Sequence, residues 1–176
     1  NKLKNAANTD YDLANNLGYG YIGINAGKIK DINIRRAIMY CMDIGLCLDY
    51  YGGSEFASIL YRSMSENSWA YPKGCMPYYG DRSYDGCEYD SQGNLIKVGK
   101  FNEELAKDSA FAAAKKAGYN LDTASGKLKN ANGETLTYTF TIAGDSNDHP
   151  AYQTMQKAAN LLNDIGFDVT LSLIHI

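Results

Sequence analysis

The stretch LTYTFTI, followed by PAYQTMQKAANLLNDIGFDVTLSLI, limits the fold more than any other part of the sequence. Leu136, Tyr138, Phe140 and Ile142 alternate with threonines, the two-residue period of a half-buried strand. Tyr152, Met155, Ala158, Ala159, Leu162 and Ile165 then recur at helical spacing, with Pro150 near the first turn and Gly166 as a stop. FDVTLSLI reads as another strand. A strand, a helix and a strand joined by short connections make a β-α-β unit, whose strands lie parallel in one sheet. The predicted class is therefore α/β.

The remainder of the 176 residues is read around this unit. Tyr19–Asn25 has the composition of a strand, and Gly27–Lys30 that of a loop. Asp31 is placed to cap a helix carrying Ile32, Ile34, Ala37, Ile38, Cys41 and Met42. Asp43 is expected to restart it as a second cap, with Ile44, Leu46, Cys47 and Leu48 continuing and Gly52–Gly53 ending it. Residues 54–100 form an irregular, aromatic segment, with a hairpin expected around Gln92–Gly93–Asn94. Asn102 caps a further helix that has Glu103 and Glu104 in its first turn, Lys115 and Lys116 in its last, and Gly118 beyond it. Those charges oppose the helix dipole at both ends. Asn132–Gly133 is a hairpin turn signal.

A net charge of -3 and a pI near 5.3 leave no basic stripe for nucleic acid. The apolar runs are too short to span a bilayer. The polar start, without Met, reads as the interior of a longer chain, and the end directly after a strand suggests that more of the domain follows.

GYGYIGIN places Gly18, Gly20 and Gly23 as G-x-G-x-x-G, with Asp43 downstream. A dinucleotide turn needs a strand before the glycines and a helix beginning within them. Here the preceding residues are polar and the helix starts only near Asp31, so a nucleotide site is not expected. His149 and His175 are far apart, and no P-loop, G-x-S-x-G or H-E-x-x-H occurs. No catalytic residue, metal or cofactor is expected, and the chain reads as a non-enzyme. Cys41 and Cys47 fit an apolar helix, and no C-x-x-C is present. Cys75 and Cys87 bracket the loop CMPYYGDRSYDGC. A bridge there would close a short loop, stabilise by about 3 kcal/mol and imply an oxidising compartment; two free thiols are the alternative.

Several segments resemble the family 5 extracellular solute-binding proteins of ABC transporters, the oligopeptide- and dipeptide-binding type. The first is GYGYIGINAGKIKDINIRRAIMYCMD, where Asn25, Asp31, Arg35, Arg36, Ala37, Ile38, Met42 and Asp43 match the family pattern. It departs from that pattern at Ile29–Lys30, where Pro-Phe is usual, and at Ile44–Gly45. ENSWAYP, FNEELAKDSAFAAAKKAGY and ANGETLTYTFTI…QTMQKAANLLNDIGFDVTL follow in the family's order. The resemblance implies a single partial domain over residues 1–176, most of the C-terminal lobe of a two-lobed periplasmic-binding-protein-like (type II) fold, truncated here. It further implies a peptide or similar small solute as ligand, an ABC permease as partner, an extracellular, lipoprotein or periplasmic setting, and a monomeric fragment.

Ligand-facing candidates are Tyr19 and Tyr21 on the expected first strand, and Tyr61, Arg62, Ser63, Ser68 and Trp69 in the irregular segment. Arg62 could grip a carboxylate in a bidentate contact or lie solvated on the surface. Trp69 could be a ligand platform or a core anchor. Arg35 and Arg36, at a helix start, are expected to serve structure. The richness in Tyr, Asn and Gly leaves open a secreted carbohydrate-binding or adhesion module, which would be a β-sandwich and so conflicts with the amphipathic helices.

Overall fold

The computed structural model describes residues 8, 10, 12–72, 80–93, 95–144 and 148–174. In chain order the elements are α1 (Ile32–Tyr40), α2 (Gly45–Tyr50), α3 (Gly80–Ser83), β1 (Tyr84–Asp85), β2 (Glu88–Tyr89), β3 (Leu95–Lys97) and β4 (Lys100–Phe101). They continue with α4 (Glu103–Lys116), β5 (Asn120–Asp122), β6 (Lys127–Lys129), β7 (Thr137–Ala143), α5 (Tyr152–Asp164) and β8 (Asp168–Ile174).

β7 and β8 pair in parallel, in register from Thr137 opposite Asp168 to Ala143 opposite Ile174. The expected β-α-β unit is therefore present, and its alternation holds. Leu136, Phe140 and Ile142 are buried while Thr137, Thr139 and Thr141 are exposed. α5 buries Met155, Ala158, Ala159, Leu161 and Leu162 against this pair. α1 packs on α4, whose small Ala110, Ala113 and Ala114 let the backbones approach closely. Ile34, Ala37, Ile38, Leu128, Phe167 and Val169 join the same core. Helices on a parallel pair are incompatible with the β-sandwich of a carbohydrate-binding or adhesion module.

The caps read from sequence are largely where expected. Asp31 accepts a hydrogen bond from Asn33 N (2.6 Å), and Asn102 accepts one from Leu105 N (3.1 Å). α5 is different: it starts later than expected, with Pro150 before the cap position and Ala151 at it, and Ala151 offers no side-chain bond. The ring of His149 does so instead, Nδ1 accepting from Ala151 N at 3.1 Å. His149 is accordingly half-buried.

At the far end of α5, Gly166 has φ +101°. A Cβ there would lie 3.0 Å from both Gly126 O and Leu128 N, and Leu128 N donates to Gly166 O at 2.7 Å. Glycine is required both by the backbone conformation and by the close passage of β6. Asn163 fastens the same corner: its side chain donates to Val169 O (2.9 Å) and accepts from Val169 N (2.7 Å).

Two expectations fail. Among the described residues Tyr19–Asn25 pairs with no strand, and the backbone is irregular from residue 12 to residue 25. Its alternation survives, with Ile22 and Ile24 packed against the core and Tyr21 outward, yet a strand exists only when a neighbour supplies the ladder. Asp43 does not cap α2, whose cap position is Ile44. Asp43 is 9 % exposed and meets a lysine from α5 instead, as described below. Residues 54–72 are turns and bends, as expected for an irregular segment, but 80–101 hold α3 and the two small antiparallel pairs β1–β4 and β2–β3. The second pair is the hairpin expected near Gly93, although Asn94 lies outside the described residues.

The β5–β6 hairpin carries a testable charge. Lys129 Nζ donates to Asp122 Oδ2 at 2.6 Å, and Ser125 Oγ donates to the same oxygen at 2.6 Å. These bonds, Lys129 first, and the Ala124 amide hold the Asp122 carboxyl down from 3.8 to about 2. The stabilisation is complete above about pH 4 and is lost as pH falls through about 2. Asp122→Asn should flatten the acid limb of the stability–pH curve in that window, as read by urea midpoints, and leave stability at neutral pH dependent only on the lost pairing.

Candidate ligand-binding surface

Local structure holds the aromatic loop. Ser58 Oγ donates to Glu66 Oε1 (2.8 Å), closing residues 58–66, and the buried Ser65 accepts from Asn67 N (3.3 Å). Ser68 N donates to Ser65 O (3.0 Å), and Ser68 Oγ accepts from Ala70 N (3.3 Å). Tyr61 is half-buried, and its amide donates to Tyr71 Oη at 3.5 Å. Burial, and then the neighbouring Tyr71 and Cys87, raise the Tyr61 phenol above its ordinary pKa, so it remains a neutral hydrogen-bonding group.

At the crest of this loop Trp69 is 98 % exposed. It is no core anchor in this structure, and its indole is free to stack on another molecule. Tyr21 is 85 % exposed and Tyr19 46 %. Arg62 is exposed, but its Nη1 donates back to Tyr61 O at 2.7 Å, so a carboxylate would have to compete with a local bond. Ser63 is exposed. Arg35 has the structural task expected of it, donating from Nη1 to Ile29 O (2.7 Å) and Lys30 O (2.8 Å).

The glycines of GYGYIGIN present no phosphate cradle. Gly18 N is already bound to Asn16 Oδ1 (2.7 Å), and no helix begins among them. Cys75, one end of the expected Cys75–Cys87 bridge, lies outside the described residues, and Cys87 is a free thiol in this structure. Cys87 carries a thiol that donates to Tyr84 O (3.5 Å) and accepts from Gly99 N (3.4 Å). Burial pushes the Cys41 thiol up to about 12, which keeps it protonated and unreactive. His175 also lies outside the described residues. Among the described residues no group of three His, Cys, Asp or Glu side chains could hold a metal, and no helix is long and apolar enough to cross a membrane.

An open groove of about 540 Å³ runs along α5, lined by Glu103, Tyr152, Gln153, Gln156, Lys157, Asn160, Leu161 and Asp164. It contains none of the seven residues expected to face ligand. Two of its lining residues, Glu103 and Lys157, belong to a charge network that the sequence reading missed. Lys157 Nζ reaches Asp43 Oδ2 at 3.1 Å and Glu103 Oε1 at 2.9 Å, and stands 4.9 Å from the Phe101 ring centroid. Burial opposes the lysine's charge, but the bonds to Glu103 and Asp43 outweigh it and hold Lys157 above its ordinary pKa. The Lys157 hydrogen bond likewise lowers Glu103. The available signal was an acid among apolar neighbours, Met42-Asp43-Ile44, which needs a cation if its surroundings bury it.

No protein-family model matches the chain. No curated protein matches it either. Solved structures do. The oligopeptide-binding protein AppA of Bacillus subtilis, solved with a nonapeptide, superposes with a TM-score of 0.52 at 18% identity, over 83% of this chain and 24% of its own. A nickel ABC transporter structure from Bacillus halodurans gives 0.51 at 20% identity, over 86% and 26%. The chain has the fold of part of a solute-binding protein. It spans about a quarter of the length of these structures. At such identity the likeness speaks for the solute-binding fold, and the ligand must be argued from residues.

Proposed function

We propose that this chain is most of the C-terminal lobe of the substrate-binding component of an ABC importer, a non-enzymatic protein that captures a peptide or similar small solute between two lobes. The reading is supported by a shared fold with a protein solved holding a nonapeptide, together with the ordered family-like segments from GYGYIGIN to DIGFDVTL. Closure over a ligand requires tighter binding to the closed arrangement than to the open one. Peptide recognition of this kind uses backbone hydrogen bonds for tolerance and charges for the termini. A membrane permease receives the loaded form, outside the cytoplasm, with the protein free or lipid-anchored.

The observation that carries the reading to residues is Trp69, fully exposed on a loop held by Ser58–Glu66 and Tyr61–Tyr71 contacts. An uncovered indole on a loop closed by these bonds is suited to covering a ligand, with Tyr19, Tyr21, Tyr61, Arg62, Ser63 and Ser68 as the other proposed contacts. In the intact protein, Trp69→Ala should weaken ligand binding by about tenfold or more, roughly 1.4 kcal/mol. The melting temperature should stay nearly unchanged, because no buried contact is removed. Calorimetric titration of both proteins checks this; equal affinities would remove Trp69 from the site.

A further inference from the structure

We propose that Asn132 is a site of spontaneous backbone-assisted deamidation, a chemical change built into the turn that feeds β7. Asn132–Gly133 is the one Asn-Gly pair in the sequence. Asn132 is exposed, and its bond to Asn130 Oδ1 is made by the backbone amide, not by the carboxamide. Gly133 has φ +80°, and open space surrounds the position where a Cβ would sit. With no side chain on the following residue, its nitrogen can approach the carboxamide carbon without hindrance.

The step balances with solvent water alone. Gly133 N attacks Asn132 Cγ, the bond from Cγ to the side-chain nitrogen breaks, and ammonia leaves with the former amide proton. Water then opens the resulting succinimide at either carbonyl, giving aspartate or isoaspartate. Gly133 N donates to Asn130 O at 3.0 Å, so the turn must open briefly before attack. That opening is local. Asn130 Oδ1 accepts from Asn132 N (3.0 Å) and Glu134 N (2.9 Å), and the bridge from Lys129 to Thr135 lies outside those bonds.

The consequence is specific to this position. Isoaspartate adds one carbon to the main chain between β6 and β7, and either product puts a carboxylate close to Glu134. Both changes oppose the Asn130-centred turn that brings Thr135 opposite Lys129.

The test is to hold the intact protein in warm, mildly alkaline buffer for several days, then map peptides by mass spectrometry. A gain of about one dalton should appear first at residue 132, as two chromatographically distinct products. Asn132→Gln should abolish it at that residue, because the longer side chain closes a less favourable ring. Should Asn132→Gln fold poorly, Asn132→Ser, which removes the carboxamide at the same exposed position, should leave residue 132 without the gain. An unchanged Asn132, or another asparagine converting earlier, would overturn the proposal.

Discussion

Phe167→Ala should lower stability by about 3–5 kcal/mol, the largest effect expected of any single truncation here. The ring is fully buried where α5 turns into β8, inside the cluster of Leu128, Leu136, Leu162 and Val169. Its neighbours are held and cannot collapse into the space. Lys127 Nζ binds Phe167 O (3.0 Å), Asn163 is bonded twice to Val169, and Gly166 admits no side chain. Urea unfolding measures this directly; a loss below about 1 kcal/mol would mean that the α5–β8 corner is not packed as described.

The second large effect is expected at Lys157. Lys157→Met keeps the aliphatic stem but leaves Asp43 without its cation, at a cost of about 1–3 kcal/mol. Glu103→Gln, at the exposed end of the same network, should cost under about 1 kcal/mol. Adding Asp43→Asn to Lys157→Met should recover part of the loss, because the stranded carboxylate is then removed. Additive losses in that double variant would contradict the pairing.

The outcome at Asp43 illustrates what the sequence can carry. Local order was legible where one period dominates: the threonine alternation of β7, the apolar stripe of α5, and the Asn102 cap with its charged turns. Those features depend on neighbours within a few residues. Asp43 and Lys157 are remote in sequence, and only the packing of α2 on α5 brings them together. Tyr19–Asn25 fails for a related reason. Its side-chain alternation is that of a strand, but pairing belongs to two segments, and no described segment pairs with it. The proposed ligand residues rest on a type, aromatic and polar side chains on irregular segments, of which Tyr19, Tyr21 and Trp69 are exposed aromatics. Their arrangement around a ligand is not written in any local pattern, and the groove along α5 contains none of them.

The most direct measurement is thermal unfolding of the intact protein against a graded excess of a mixed peptide pool. If the chain serves a peptide importer, the melting temperature rises with peptide concentration as mass action requires, reaching about 2.7 kcal/mol of added stability at a hundredfold excess over Kd. A melting temperature that stays fixed for peptides, and equally for sugars and nickel chelates, would contradict a solute-binding role.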